Sequence, residues 1–226
     1  MNLEKYQQYS RIARGLEKAD LVLKDARIVN VFTEEIIRGD IAIQDGIIAG
    51  IGSFHGKEER DLAGRYVCPG FIDSHLHLES TLVTPAELVT VASRHGTTTF
   101  IVDPHESANV SGLAGIDYIL DQTEDVKANV YVMMPSCVPA TAIDDNGCTL
   151  TAEDMAPYLH NSRILGLGEV MDSISVVQGE KSMHDKLELF EGRIRDGHAP
   201  FLEEGDLQAY AMAGIATDHE CSFFDY

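Results

Sequence analysis

The pair His75-Leu76-His77 is the sharpest chemical feature of the chain. On a strand, side chains two residues apart point to the same face, so both imidazoles can reach one metal ion while Leu76 and Leu78 pack on the other side. Polar residues of the same kind recur at Asp103-Pro104-His105-Glu106, Gly166-Leu167-Gly168-Glu169, Asp196-Gly197-His198 and Thr217-Asp218-His219-Glu220. Imidazoles with a carboxylate suit Zn²⁺, Fe²⁺ or Mn²⁺, and four histidines can hold a pair of ions. Glu169 lies in the apolar stretch ILGLGEVM, where an unpaired carboxylate is costly; metal ligation or a salt bridge to an arginine would each hold it ionised. His105 and Glu106 are candidate ligands, substrate contacts or partners of ligands, and Asp103, next to Pro104, can cap a turn. Asp218 and Glu220 alternate away from His219 if its strand continues. Of the nine histidines, His55, His95, His160 and His184 fall on expected loops or helices and read as surface residues. Cys221 follows close on His219, but the four cysteines show no ligand spacing.

The pattern of apolar segments predicts elements able to bring these residues together. Residues 1–18 are polar and helix-compatible and carry no chemistry. From 19 to 68, short β-branched runs alternate with Asp-Ala, Gly-Asp and Asp-Gly turns, which predicts a small antiparallel module of four or five strands. After Pro69-Gly70 the rhythm lengthens, and 69–226 reads as strand-then-helix units. Strands are expected near 71–78, 97–103, 129–135, 163–171, 192–199 and 215–219. Helices are expected from Thr84-Pro85-Ala86-Glu87 to Gly96, and near 112–122, 151–160, 180–191 and 206–213. Repeated βα units imply a parallel sheet, either doubly wound or closed as a barrel. In a parallel barrel every strand delivers its C-terminal end to one face, where the polar residues above would surround one point. Six strands are countable where a closed barrel takes eight, so a barrel here stops short.

Composition narrows the function classes. With Lys+Arg 17 against Asp+Glu 37, the formal charge is −20, which repels phosphate backbones and anionic lipid surfaces and argues against nucleic-acid or membrane partners. A 44% hydrophobic content suits a folded globular chain. No apolar run reaches the length of a membrane span, and scattered cysteines fit a reduced cytoplasmic compartment. No GxGxxG follows the first strand of the βα region and GxxxxGK[ST] is absent from the sequence, so the usual nucleotide-binding marks are missing.

PGFIDSHLHLES, preceded by ADLVLKDARIVNVF and IRGDIAIQDGIIAGIG, resembles the amidohydrolase superfamily of metal-dependent hydrolases. More narrowly DPHE, GLGEVMD, DGHAP and TDHEC, in that order, resemble the adenine deaminase family, and the resemblance runs from Ala19 to Cys221. It implies an α/β fold: a TIM-like (β/α) barrel, incomplete at about six of eight βα units, with a small β-sandwich module around its N-terminal strands. It also implies two divalent ions, Mn or Fe with Zn as the alternative, and hydrolytic conversion of adenine to hypoxanthine and ammonia in cytoplasmic purine salvage. By this resemblance His75 and His77 bind the more buried ion, Glu169 bridges both, and His198 and His219 bind the second. Glu169 and His219 then stand among the catalytic residues, and His105 and Glu106 lie at the site mouth against substrate. The proton-shuttling aspartate that the superfamily carries at its eighth strand has no counterpart in these residues. The expectation is therefore an N-terminal part or truncated homologue, completed by a C-terminal chain or self-associating as a homo-oligomer. N-acetylglucosamine-6-phosphate deacetylases and dihydroorotase-like enzymes share the ligands, and a non-catalytic metal-binding remnant is a further alternative. DPHE and TDHE favour the deaminase.

Overall fold

The computed structural model describes residues 1–141 and 143–219, and the chain divides into two compact units, Met1–Pro69 and a second beginning at Gly70. The expectations that fall on Glu220 and Cys221 lie outside the described residues.

The first unit opens with α1 (Leu3–Ala13), started by Asn2, whose side chain accepts from the main-chain N–H of Lys5. Strands β1 (Ala19–Asn30), β2 (Glu35–Gln44), β3 (Ile47–Gly52), β4 (Gly56–Asp61) and β5 (Tyr66–Val67) follow. β1 pairs antiparallel with β2, and β2 with β3 across the two-residue turn Asp45-Gly46, where both residues hold the positive φ such a turn requires. β4 and β5 each run parallel to β1, so the described residues form one mixed five-stranded sheet rather than the antiparallel module expected. The reason lies at 53–55. Instead of turning back beside β3, the chain crosses to the far side of β1, and a strand entering after such a crossover runs parallel. Phe54 is buried on the way, against Ile12, Ala19, Val22 and Ala42. Asp40 anchors the crossing: its carboxylate accepts from Lys24 Nζ at 2.5 Å and from the N–H groups of Asp25 and Phe54, each at 3.1 Å. A second sheet layer, as a sandwich needs, is not among the described residues.

The second unit alternates strand and helix: β6 (Phe71–Leu76), α2 (Pro85–Ser93), β7 (Thr97–Val102), α3 (His105–Ser111), α4 (Leu113–Gln122), β8 (Asn129–Met134), α5 (Ala152–Met155), β9 (Ile164–Val170), α6 (Ser173–Gln178), α7 (Lys181–Leu189), β10 (Ile194–Gly197), α8 (Glu204–Met212) and β11 (Thr217–Asp218). The expected strands are all present. α3 and α6 are additions, and 156–160, expected to continue α5, tightens into a 3₁₀ turn. The six strands are parallel and neighbour one another in chain order, from β6 to β11. A doubly wound sheet would reverse its order at a switch point, so the singly wound, barrel-like alternative is the one realised. β8 and β9 are buried almost throughout, as strands covered on both faces must be, whereas β6 and β11 are the two edges. Phe100, Val102, Val132, Met134, Leu167 and Val170 form the strand side of the core, against Ile116, Ile119, Leu187 and Phe190.

This sheet is curled. Five inter-strand spacings of about 4.8 Å would set β6 and β11 roughly 24 Å apart if flat. Instead the rings of His75, on β6, and His219, just past β11, stack with centroids 3.6 Å apart.

Candidate metal centre

Curling brings the C-terminal ends of the strands to one point, and Glu169, the penultimate residue of β9, occupies it. Its side chain is 4% exposed. Among the described residues five imidazoles face its carboxylate. His198 Nδ1 and His219 Nε2 lie 3.1 and 3.0 Å from Oε2, with His75 Nε2 at 3.8 Å; His105 Nδ1 and His77 Nε2 lie 3.1 and 3.6 Å from Oε1. His75, His77, His105, Glu169, His198 and His219 are thus brought together. Glu106 is not: its carboxylate is exposed, held by Ser80 Oγ at 2.7 Å to each oxygen, and lines a cavity of about 490 Å³ with His105, Asn109, Cys137 and Met171. His55, His95, His160 and His184 stand outside the cluster.

The backbone around Glu169 is pinned from three sides. Its N–H donates to Asp103 Oδ2 at 2.8 Å, so Asp103 does more than cap a turn. Gly168 explains how the carboxylate gets that close: a Cβ at 168 would sit 2.1 Å from Asp103 Oδ2. The Glu169 carbonyl accepts from Ser136 Oγ at 2.5 Å, and the Ser136 carbonyl accepts from the buried amine of Lys186 at 2.6 Å. Tyr210 ties the next strand end: its hydroxyl donates to the Val170 carbonyl and accepts from the His198 N–H.

Asp196, on β10, is a site residue that sequence reasoning left unassigned. Its Oδ2 faces His75 Nδ1 at 3.3 Å and His219 Nδ1 at 3.5 Å. Only its adjacency to His198 hinted at a role, because one of the rings it contacts, His75, comes from the far edge of the sheet.

The donor set fits cations. His77 Nδ1 donates to the Asp103 carbonyl at 2.8 Å, and His75 Nδ1 faces a carboxylate, so each ring keeps its lone pair on Nε2. Those two Nε2 atoms lie 2.9 Å apart, an arrangement that repels unless a cation or proton lies against both. His105 Nδ1, His198 Nδ1 and Asp103 Oδ1 are buried without a hydrogen-bond partner. Among the described residues no lysine or arginine reaches Glu169, Asp103 or Asp196, whose ion-pair partners are all histidines. Four sets of three donors converge here: His75/His77/Glu169, Glu169/His198/His219, His75/Asp196/His219 and Asp103/His105/Glu169.

The electrostatics follow. Burial alone would raise the Glu169 pKa, but the imidazoles of His105, His75 and His198 outweigh it and draw the carboxyl down to about 2. Burial would lower that of His105, and Asp103 and Glu169 together push it up to about 10. Burial likewise works against Asp196, yet His75 and Thr217 hold it below the usual carboxylate range. The centre thus packs ionised carboxylates against imidazoles that protons hold to them in the absence of an ion, a donor set that suits a divalent ion.

Comparison with known proteins bears on this geometry. The sequence is 57% identical to an adenine deaminase of Desulfitobacterium hafniense over 226 residues, all of this chain and 40% of that protein. It is 50% identical to an adenine deaminase of Clostridium acetobutylicum over 212 residues, 93% of this chain and 37% of that one. The chain therefore spans about two fifths of the length of these curated relatives. Among solved structures, the N-acyl-D-glutamate deacylase of Bordetella bronchiseptica, complexed with zinc and a phosphonate inhibitor, superposes with a TM-score of 0.59 at 17% identity, covering 89% of this chain and 51% of that one. The likeness shows a shared fold. No helix among the described residues is long and apolar enough to cross a membrane. The profile of the amidohydrolase family matches residues 66–226, the stretch that supplies every imidazole around Glu169, and the chain belongs to that family.

Proposed function

We propose that this chain carries the metal-binding part of an adenine deaminase, which converts adenine and water to hypoxanthine and ammonia. The observation that carries the reading is the ring of imidazoles around one buried, ionised carboxylate. Identity to adenine deaminases along the whole chain supports the substrate. His75 and His77 would hold one ion, His198 and His219 a second, and Glu169 both; Mn or Fe suits this nitrogen-rich set, with Zn as the alternative. When bound, such ions supply Lewis acidity and lower the pKa of a water towards neutrality.

The chain's own residues do the rest. Glu169 stays ionised, with Oε2 towards His75, His198 and His219 and Oε1 towards His77 and His105. His105 and Glu106 border the adjoining cavity, where they would orient the purine with C6 towards the centre. Water adds to C6, a ring nitrogen takes a proton, and ammonia leaves. Those transfers need a carboxylate that is not already committed. Asp103 is tied to the Glu169 N–H, and Asp196 to Thr217 and two imidazoles. The reading therefore assigns the shuttle to a carboxylate on the strands that a closed barrel adds to these six. A C-terminal portion beyond those strands would complete the N-terminal sheet as a sandwich, and the enzyme would act in cytoplasmic purine salvage. Residues 1–18, 19–68 and 69–226 remain the proposed division into extension, β module and barrel.

The test is metal content and ammonia release from adenine on the Mn- or Fe-loaded chain, alone and together with the remaining barrel of a relative. Two ions per chain, with deamination once the barrel is complete, is the expected result. Acetate release from N-acetylglucosamine 6-phosphate would move the chain to the deacetylases. Ions without turnover by the completed barrel would make it a metal-binding remnant.

A further inference from the structure

We propose that Asp196 is a positioning residue shared by the two metal subsites, locking His75 of one and His219 of the other through their Nδ1 atoms. The inference rests on the two-ion reading above and adds a residue to which that reading gives no part.

The stacked rings make the geometry simple. His75 and His219 lie nearly parallel, 22° between planes, with their Nδ1 edges towards Asp196 Oδ2 and their Nε2 edges towards Glu169. One oxygen of Asp196 thus faces both rings from behind. The other is occupied: Oδ1 accepts from Thr217 Oγ1 at 2.7 Å and from the Gly197 N–H at 3.0 Å. The carboxylate is therefore fixed in rotation before any ion arrives, with only 14% of its side chain exposed.

A carboxylate facing Nδ1 selects the tautomer with hydrogen there and the lone pair on Nε2, and it raises the basicity of that lone pair. For His75 the outcome is cross-checked, because its Nε2 converges with that of His77 on one point. His77 has its own orienting partner, the Asp103 carbonyl. His75 and His219 share theirs. Asp196 stands on β10, His75 on the first strand of the sheet, and Thr217 and His219 at the last. Losing this one carboxylate should consequently loosen a ligand of each ion at once. A histidine ligand would act on one ion alone.

The experiment is a chelator-competition titration with Zn²⁺, repeated with Co²⁺ to read the visible ligand-field band, on the wild-type chain and on Asp196→Ala. Asp196→Asn and Thr217→Val are gentler variants, and thermal unfolding tracks folding throughout. Asp196→Ala is expected to weaken both ions together by about 10- to 100-fold and to shift the cobalt band. Asp196→Asn, which keeps an acceptor for one ring, should fall in between, and Thr217→Val should show a smaller loss of the same kind. His198→Ala, as the contrast, should weaken one ion and leave the other within a few-fold. Loss of only one ion in Asp196→Ala, or two ions bound as in wild type with an unchanged band, overturns the shared role. If Asp196→Ala does not fold, wild-type affinities and band in the two gentler variants overturn it. A wild-type chain that binds no ion at all removes the two-ion reading and this inference together.

Discussion

Asp40 in the first unit and Glu169 in the second are both carboxylates withdrawn from water, and they are satisfied in opposite ways. Asp40 is answered by the chain itself, with a lysine amine and two main-chain N–H groups on its oxygens. Among the described residues Glu169 meets imidazoles only, from the ends of β6, β10 and β11 and from the start of α3. A fixed ammonium closes a site electrostatically. A shell of imidazoles balances the carboxylate with protons, which a cation from outside can replace. Burial of an acid therefore does not by itself mark a functional residue; the identity of its neighbours does.

The sharpest way to break this contrast is Glu169→Ala. It should weaken both ions by more than the roughly 100-fold that loss of an orienting partner costs, read by equilibrium dialysis with metal analysis. Asp40→Ala in the same assay should leave ion stoichiometry unchanged, and equal losses from the two variants would erase the distinction. Phe54→Ala asks whether the first unit is held by packing: it should cost about 3 kcal/mol in urea unfolding followed by circular dichroism, without altering ion content. Asp40→Asn should cost less, about 1.5 kcal/mol, by weakening the Lys24 contact. The same pair gives a pH signature. Burial acts to raise the Asp40 pKa, but Lys24 and the two N–H donors outweigh it and lower it. Its contribution to stability is present above the ordinary value of about 3.9 and is lost as pH falls through the lowered one. Acid titration of the unfolding midpoint should thus be flatter below about pH 4 in Asp40→Asn than in wild type. Lys57→Ala is the smallest effect: its 2.8 Å pair with Asp20 is exposed, and the midpoint should not move measurably.

The second unit was the more legible of the two in sequence. Each βα unit is built from residues adjacent in the chain, so apolar runs such as TTTFIVD and NVYVMMP reveal their strands without knowledge of what lies beside them. The polar residues at strand ends could be read together because a parallel arrangement delivers those ends to one face. Asp196 escaped because His75 meets it only through the curl of the sheet, and His219 only through the pairing of β10 with β11, neither of which has a local signal. His105 could be placed near the site, but not at the first position of a helix behind Pro104. In the first unit, the alternation of Ile41, Ile43, Ile47 and Ile51 shows strands while leaving their pairing open. The parallel entry of β4 depends on burying Phe54, a single residue in a short loop. Lys186 reads as one more charge on a helix until its amine is found on the Ser136 carbonyl.

The stacking of His75 on His219 carries a consequence for timing. Contacts within a βα unit close short loops and form early, whereas this one joins residues at either edge of the sheet and is entropically among the last. An ion arriving early on the nascent chain meets only the His75–His77 pair. The complete donor set exists once β10 and β11 have docked in register. Ion uptake during refolding should accordingly lag behind the recovery of helical signal, so that metal loading acts as a checkpoint on finished assembly rather than as a nucleus for it.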